Sequence, residues 1–331
     1  MTFIYKGLPV KKIFLKGILI LVIAGLTGCT DRSDMDITDS AVTGLYESEA
    51  IASDSRVLVE TEKNTDRISV DNLKYEYEDG NLVMAVYRDE WDGLDKSGYG
   101  YGSAADFLQE AAGYYYEIAE FTGKADQLSE YETVSIDFLF VDTISTTNML
   151  SSSEEYYAVE IRLKKDFFEL GAAPVAHELA HAICPSATSE SLSEGLASYM
   201  QDTVSDNPAP HNFGINCDII CASVLGESDE DIKVNDILNM TGTVRSAFKE
   251  PEYRSLAYNF ADSFTHYLID NYGIDNYMWL YSAVNPIKVY PEITGKELDE
   301  LRDDWRNHLM EEETMSAEEI NEAMNEALNR Q

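Results

Sequence analysis

Apolar and polar positions follow two different periods along this chain, and the change comes near Gly171. Before it, alternation of period two dominates. Residues 73–78 and 81–88 predict two strands, with Asp79-Gly80 between them as a type I′ hairpin turn. Thr133–Val141 (TVSIDFLFV) and 156–163 (YYAVEIRL) predict two more, the second alternating clearly enough for an edge strand. One helical stretch interrupts them. Phe107, Leu108, Ala111, Tyr115, Ile118 and Ala119 recur at helical spacing across 104–122, and Gly123 is a natural stop. Residues 89–102 are rich in Gly and Tyr and read as a loop, and one further strand is expected near 56–61. After Gly171 the period is helical: 174–183, 190–201, 253–272, 277–283, 296–309 and 316–329. Ser316 and Glu319 form a capping-box pair for the last of these. The expected fold class is therefore α+β, with a mixed α/β part carrying a small sheet over 70–170 and an all-helical part over 171–331.

The first 69 residues differ in kind. Lys6, Lys11, Lys12 and Lys16 precede an apolar run from Gly17 to Leu26, too short to span a bilayer comfortably. Leu26-Thr27-Gly28-Cys29 comes next and resembles the lipobox of bacterial lipoproteins, in which the Cys becomes the lipid-modified first residue. The expectation is a signal peptide over 1–28, a lipid on Cys29, an acidic tether over 29–69 and a membrane-anchored chain on the extracytoplasmic side.

The formal charge of -37 speaks against nucleic acid as a partner, because a phosphate backbone needs basic neutralisation. Outside the leader the densest basic run is only Arg162, Lys164 and Lys165. Cys184, Cys217 and Cys221 remain after the lipobox, so one thiol is left over if any pair forms. Cys184 could bridge to either of the others. Cys217 and Cys221, at i, i+4 with His211 nearby, could hold a metal or be plain buried thiols.

The chemistry concentrates at His177-Glu178-Leu179-Ala180-His181. On a helix, two His at i, i+4 project from one face and can share a Zn²⁺, while the intervening Glu faces the side where a water would be activated. A catalytic zinc needs a third protein ligand. Glu194, in Ser193-Glu194-Gly195-Leu196-Ala197-Ser198-Tyr199, reaches it if the next helix folds back; Glu190 is the fallback. The HExxHxxGxxH alternative is excluded, since Cys184 and Ala187 occupy its Gly and last His places.

HELAH followed by SEGLASYM resembles the gluzincins, the HExxH…E zinc metallopeptidases of the thermolysin-like clan. The likeness continues in Tyr258-Asn259-Phe260-Ala261-Asp262-Ser263-Phe264 with Tyr267-Leu268-Ile269 and Tyr272-Gly273, then in Leu298, Leu301 and Trp305 after Gly295, covering about 133–310. It implies a zincin-like fold, zinc on His177, His181 and Glu194, Glu178 as general base, and hydrolysis of a peptide or protein substrate paired with strand 156–163. It also implies an oxyanion donor, either Tyr258 by family position or His266. Asp262 departs from the family, which often carries a small residue there, and the twelve residues between His181 and Glu194 are fewer than in thermolysin-like enzymes proper. Glu190, Asp202 or Asp262 could orient a ligating His. His211 and His308 are expected on the surface. The runs at Tyr99, Tyr101 and Tyr114–Tyr116 could line a groove or simply pack. Two other functions fit the sequence: a binding or scaffolding lipoprotein that keeps the peptidase fold, and a binding lipoprotein in which HELAH carries no metal.

Overall fold

The computed structural model describes residues 68–70, 73–98, 101–185, 187–227, 248 and 254–330. The signal peptide, Cys29 and the strand expected near 56–61 lie outside these residues. No helix among those described is long and apolar enough to cross a membrane.

The architecture is α+β. Six strands form one mixed sheet: β1 (Ile68–Val70), β2 (Lys74–Asp79), β3 (Leu82–Tyr87), β4 (Thr133–Val141), β5 (Thr146–Ser152) and β6 (Tyr156–Lys164), in the order β1-β2-β3-β4-β6-β5. The β2–β3 hairpin turns at Gly80 and Asn81, one residue later than expected, because Asp79 pairs with Leu82. Gly80 takes φ 61°, which an L side chain rarely adopts. β3, β4 and β6 run parallel, and β5 returns antiparallel on β6.

This order corrects the edge-strand expectation. β6 is an interior strand, flanked by β4 and β5, and is buried along most of its length. The edge is β5 (TTNMLSS), which the periodicity did not reveal. A strand with one open edge and a solvent face has little apolar pattern to show.

Packed on the sheet's buried face, on the same side as the helices that follow, are α1 (Arg88–Asp92), α2 (Ala104–Phe121), α3 (Ala125–Ser129) and α4 (Lys165–Glu169). The expected loop at 89–102 thus opens with a helical turn, α1, which buries Trp91 against Phe107, Phe140 and Phe168. β4 sends Val134, Ile136, Phe138 and Phe140 inward at every second position. α2 ends as expected at Gly123 (φ 67°). Gly123 N–H donates to Glu120 O and Lys124 N–H to Ala119 O, the paired bonds of a Schellman cap.

The remaining helices are α5 (Val175–Ile183), α6 (Glu190–Val204), α7 (Cys217–Glu227), α8 (Arg254–Tyr272), α9 (Ile274–Ser282), α10 (Pro286–Thr294), α11 (Leu298–Leu309) and α12 (Ala317–Arg330). α7 and α10 were not expected. α10 contains Pro291, a residue that argues against a helix interior. The predicted capping box of α12 is present: Ser316 N–H donates to Glu319 Oε2 and Glu319 N–H to Ser316 Oγ. One apolar core runs from Tyr77 to Leu309 and joins the sheet part to the helical part. α5 lies in its middle, buried nearly all round, as a helix with Val175, Ala176, Leu179, Ala180, Ala182 and Ile183 must be.

Candidate metal centre

α5 begins directly after Pro174, and its polar groups are met by other elements. His177 N–H, one of the donors a helix start leaves unpaired, gives its bond to Gln201 Oε1 on α6 at 3.1 Å. At the far end Tyr157 OH donates to Ala182 O and Tyr281 OH to Cys184 O. The helix is therefore tied at both ends.

α6 folds back beside α5, as the third-ligand expectation requires. Its crossing with α8 is close at Gly195, where a Cβ would stand 2.2 Å from Thr265 Oγ1 and 2.6 Å from Ala261 O. Only glycine permits that approach. The neighbouring Glu194 is thereby delivered to the histidines. His177 Nε2 lies 3.2 Å from His181 Nε2 and 3.2 Å from Glu194 Oε2, and His181 Nε2 lies 3.3 Å from the same oxygen. Three ligand atoms thus converge on one point in a nearly equilateral triangle. Tetrahedral zinc with bonds of about 2.0–2.1 Å needs ligand–ligand edges of roughly 3.3–3.4 Å, so the set fits that ion. Glu190, the fallback, is not part of the triangle and lines the cavity nearby.

The charges are mutually dependent. Burial works against protonating His181, but the Glu194 carboxylate outweighs it and pushes its pKa up to about 9. Burial lowers His177. Burial also works against the Glu194 charge, yet the two imidazoles hold its carboxyl well below the usual range. Glu178 is raised by burial, which makes it a more competent proton acceptor. Thr147 Oγ1, on the edge strand β5, lies 2.8 Å from Glu178 Oε2 and 2.8 Å from Glu178 O.

These groups open onto a cavity of about 610 Å³. Its walls include Thr147 and Met149 from β5, Arg254 and Tyr258 from α8, and His211 from the loop between α6 and α7. No family model, curated protein or solved structure matches this chain. The chemistry open to the site therefore rests on the arrangement of its residues.

Of the two oxyanion candidates, Tyr258 lines the cavity, its ring centroid 5.8 Å from that of His177. Burial, with the Glu194 and Glu178 charges, raises its phenol well above the ordinary range, so it stays a donor. His266 turns elsewhere, onto Tyr199 (4.4 Å between centroids) and Asp262. His308 is exposed beside Asp218, as expected, but His211 is not a surface residue. It is buried, stacked on Tyr258 at 5.5 Å and 22°, because the segment after Ser205 folds inward under α8. The contact found for a ligating imidazole is Ser193 Oγ, 3.4 Å from His181 Nδ1, rather than Glu190, Asp202 or Asp262. Thr147, Gln201 and Ser193 were missed because no spacing rule marks a residue that serves another. All three cysteines considered for bridging are buried and free. Tyr101 and Tyr114 both donate to Glu110 and build the fold.

Proposed function

We propose that the chain is a zinc-dependent peptidase of zincin-like architecture, with His177, His181 and Glu194 as metal ligands. The observation that carries this reading is the triangle of ligand atoms at 3.2–3.3 Å, with a buried carboxylate beside it in an open cavity. When bound, zinc supplies a Lewis acid that acidifies water and polarises a carbonyl. Glu178, steadied by Thr147, takes the proton from the attacking water and returns it to the leaving amine. Tyr258 OH donates to the oxyanion that develops on the substrate. β5, the last strand of the sheet, offers its outer edge to an extended peptide, which would bind by backbone pairing. The same reading has the protein lipid-anchored through Cys29 and facing out of the cytoplasm.

The test is elemental analysis of the purified chain beside a peptide-library assay. Zinc that is lost in Glu194→Ala, with hydrolysis abolished in Glu178→Gln, is the expected result. Zinc bound at this triangle without any turnover would favour the scaffolding lipoprotein, and a chain that never takes zinc there would leave HELAH as packing.

A further inference from the structure

A second group of ligand-type side chains lies one to two turns further along Tyr258's helix. Cys217 at the start of α7, with Asp262 and His266 on α8, bring a sulfur, a carboxylate oxygen and an imidazole nitrogen within 4.8 Å of one another. Asp262 and His266 share a helix face at i, i+4.

Its surroundings are unusual for a carboxylate. Asp262 is 0% exposed; the Asp202 carboxyl and the Cys217 thiol approach its oxygens, but neither closely enough to satisfy them. His266 Nε2 lies 3.6 Å from Oδ1. His211 Nε2, buried and also without a hydrogen bond, faces Oδ2 at 3.7 Å. Asp202 approaches from α6; burial and then the Asp262 charge push its carboxyl up to about 7. Burial pushes Asp262 itself up to about 6 and the Cys217 thiol well above its ordinary value. A core rarely keeps an ionised carboxylate with so little donation, because desolvation is not repaid. Either a proton or a cation must neutralise it.

The donor set points to a cation. Sulfur, imidazole and carboxylate together suit zinc-class ions and are foreign to Mg²⁺ or Ca²⁺. A thiolate and a carboxylate cancel the two charges of the ion, leaving a neutral centre in the core. The bound ion would displace the thiol proton to solvent, reversing the effect of burial on Cys217. His266 is 30% exposed and gives the ion a way in.

We propose that Cys217, Asp262 and His266 hold a second, structural zinc-class ion, distinct from the His177–His181–Glu194 centre. His211 receives the opposite edge of Asp262 and carries the effect to the cavity wall through its stack on Tyr258. The site ties α7 to α8 and does not depend on the catalytic reading.

Cobalt separates the two centres, because only this one contains sulfur. The full chain is purified without chelator, its zinc is counted, and it is then reloaded with Co²⁺ and its near-ultraviolet spectrum recorded. The expected result is about two zinc per chain and a thiolate-to-cobalt charge-transfer band. The band persists in Glu194→Ala, Cys184→Ser and Cys221→Ser, and is lost in Cys217→Ser; Asp262→Asn retains about one zinc fewer than the parent chain. No thiolate band in the parent chain overturns the proposal before any variant is made, so a variant that fails to fold cannot rescue it. A band that survives Cys217→Ser overturns it equally. Zinc that disappears in Glu194→Ala with no band anywhere removes this site and leaves the catalytic one. A zinc count that Glu194→Ala leaves unchanged, with the band present, does the reverse.

Discussion

Thr147 is a short polar side chain on a strand with almost no apolar pattern, yet it holds the carboxylate on which the proposed chemistry depends. Its hydroxyl touches both the Glu178 carboxylate and the Glu178 carbonyl, so one residue fixes a side chain and the helix turn that carries it. Thr147→Val keeps the shape and removes the donor. It should lower kcat by about tenfold or more with KM little changed, the mark of a positioning residue. Steady-state kinetics on a peptide substrate would check this; an unchanged kcat would show that Glu178 needs no such support. Tyr258→Phe is the companion change. Loss of one oxyanion donor should cost roughly 10²–10³ in kcat while zinc content stays constant. A variant with full activity would return the role to another group.

At the scale of elements, the close crossing of α6 and α8 decides where Glu194 goes. Gly195→Ala places a methyl 2.6 Å from the Ala261 carbonyl oxygen, a backbone atom that cannot rotate away. The helices must separate, at a cost of about 1–3 kcal/mol, and Glu194 is drawn off the histidines. Urea melts should show the lost stability, and zinc titration a weakened affinity. Unchanged values in both would mean that the crossing is looser than described. Gln201→Leu tests the other end of the arrangement. It strips the partner from His177 N–H at the start of α5 and should destabilise by about 1–3 kcal/mol.

Element by element, legibility followed burial. β4 and α2 are half-buried, so their periods survive in the sequence and their bounds were read almost residue for residue. α5 carried its own signature. β5 could not be read, because an exposed edge imposes no pattern, and α10 was hidden by Pro291. β6 was mistaken for an edge because its polar residues Glu160 and Arg162 suggested solvent, whereas they pair with each other over an interior strand.

For the whole molecule, metal and fold should be linked. A ligand that binds the folded chain alone stabilises it by mass action, by about 4 kcal/mol when free metal is a thousandfold above Kd. For a chain of this size that corresponds to a fall in Tm of about 6 °C on chelation. Differential scanning calorimetry with and without chelator, followed by zinc add-back, reads it. A Tm indifferent to both treatments would count against either centre being occupied.

The sequence alone determined the relations that local geometry imposes. Two His four residues apart must share a helix face, a run such as TVSIDFLFV must alternate, and Ser316 with Glu319 must be able to cap a helix, because bond geometry sets those relations within a few residues. It also pointed to Glu194, with Glu190 as the fallback, as the carboxylate the next helix could bring to the two His. Tertiary structure decided the rest. It chose β5 as the edge, brought Thr147, Gln201 and Ser193 to the HELAH helix, turned His211 inward and left Asp262 buried beside Cys217 and His266. Those contacts join residues from different elements, and which of them meet depends on how the helices cross and the strands order. No period along the chain encodes that.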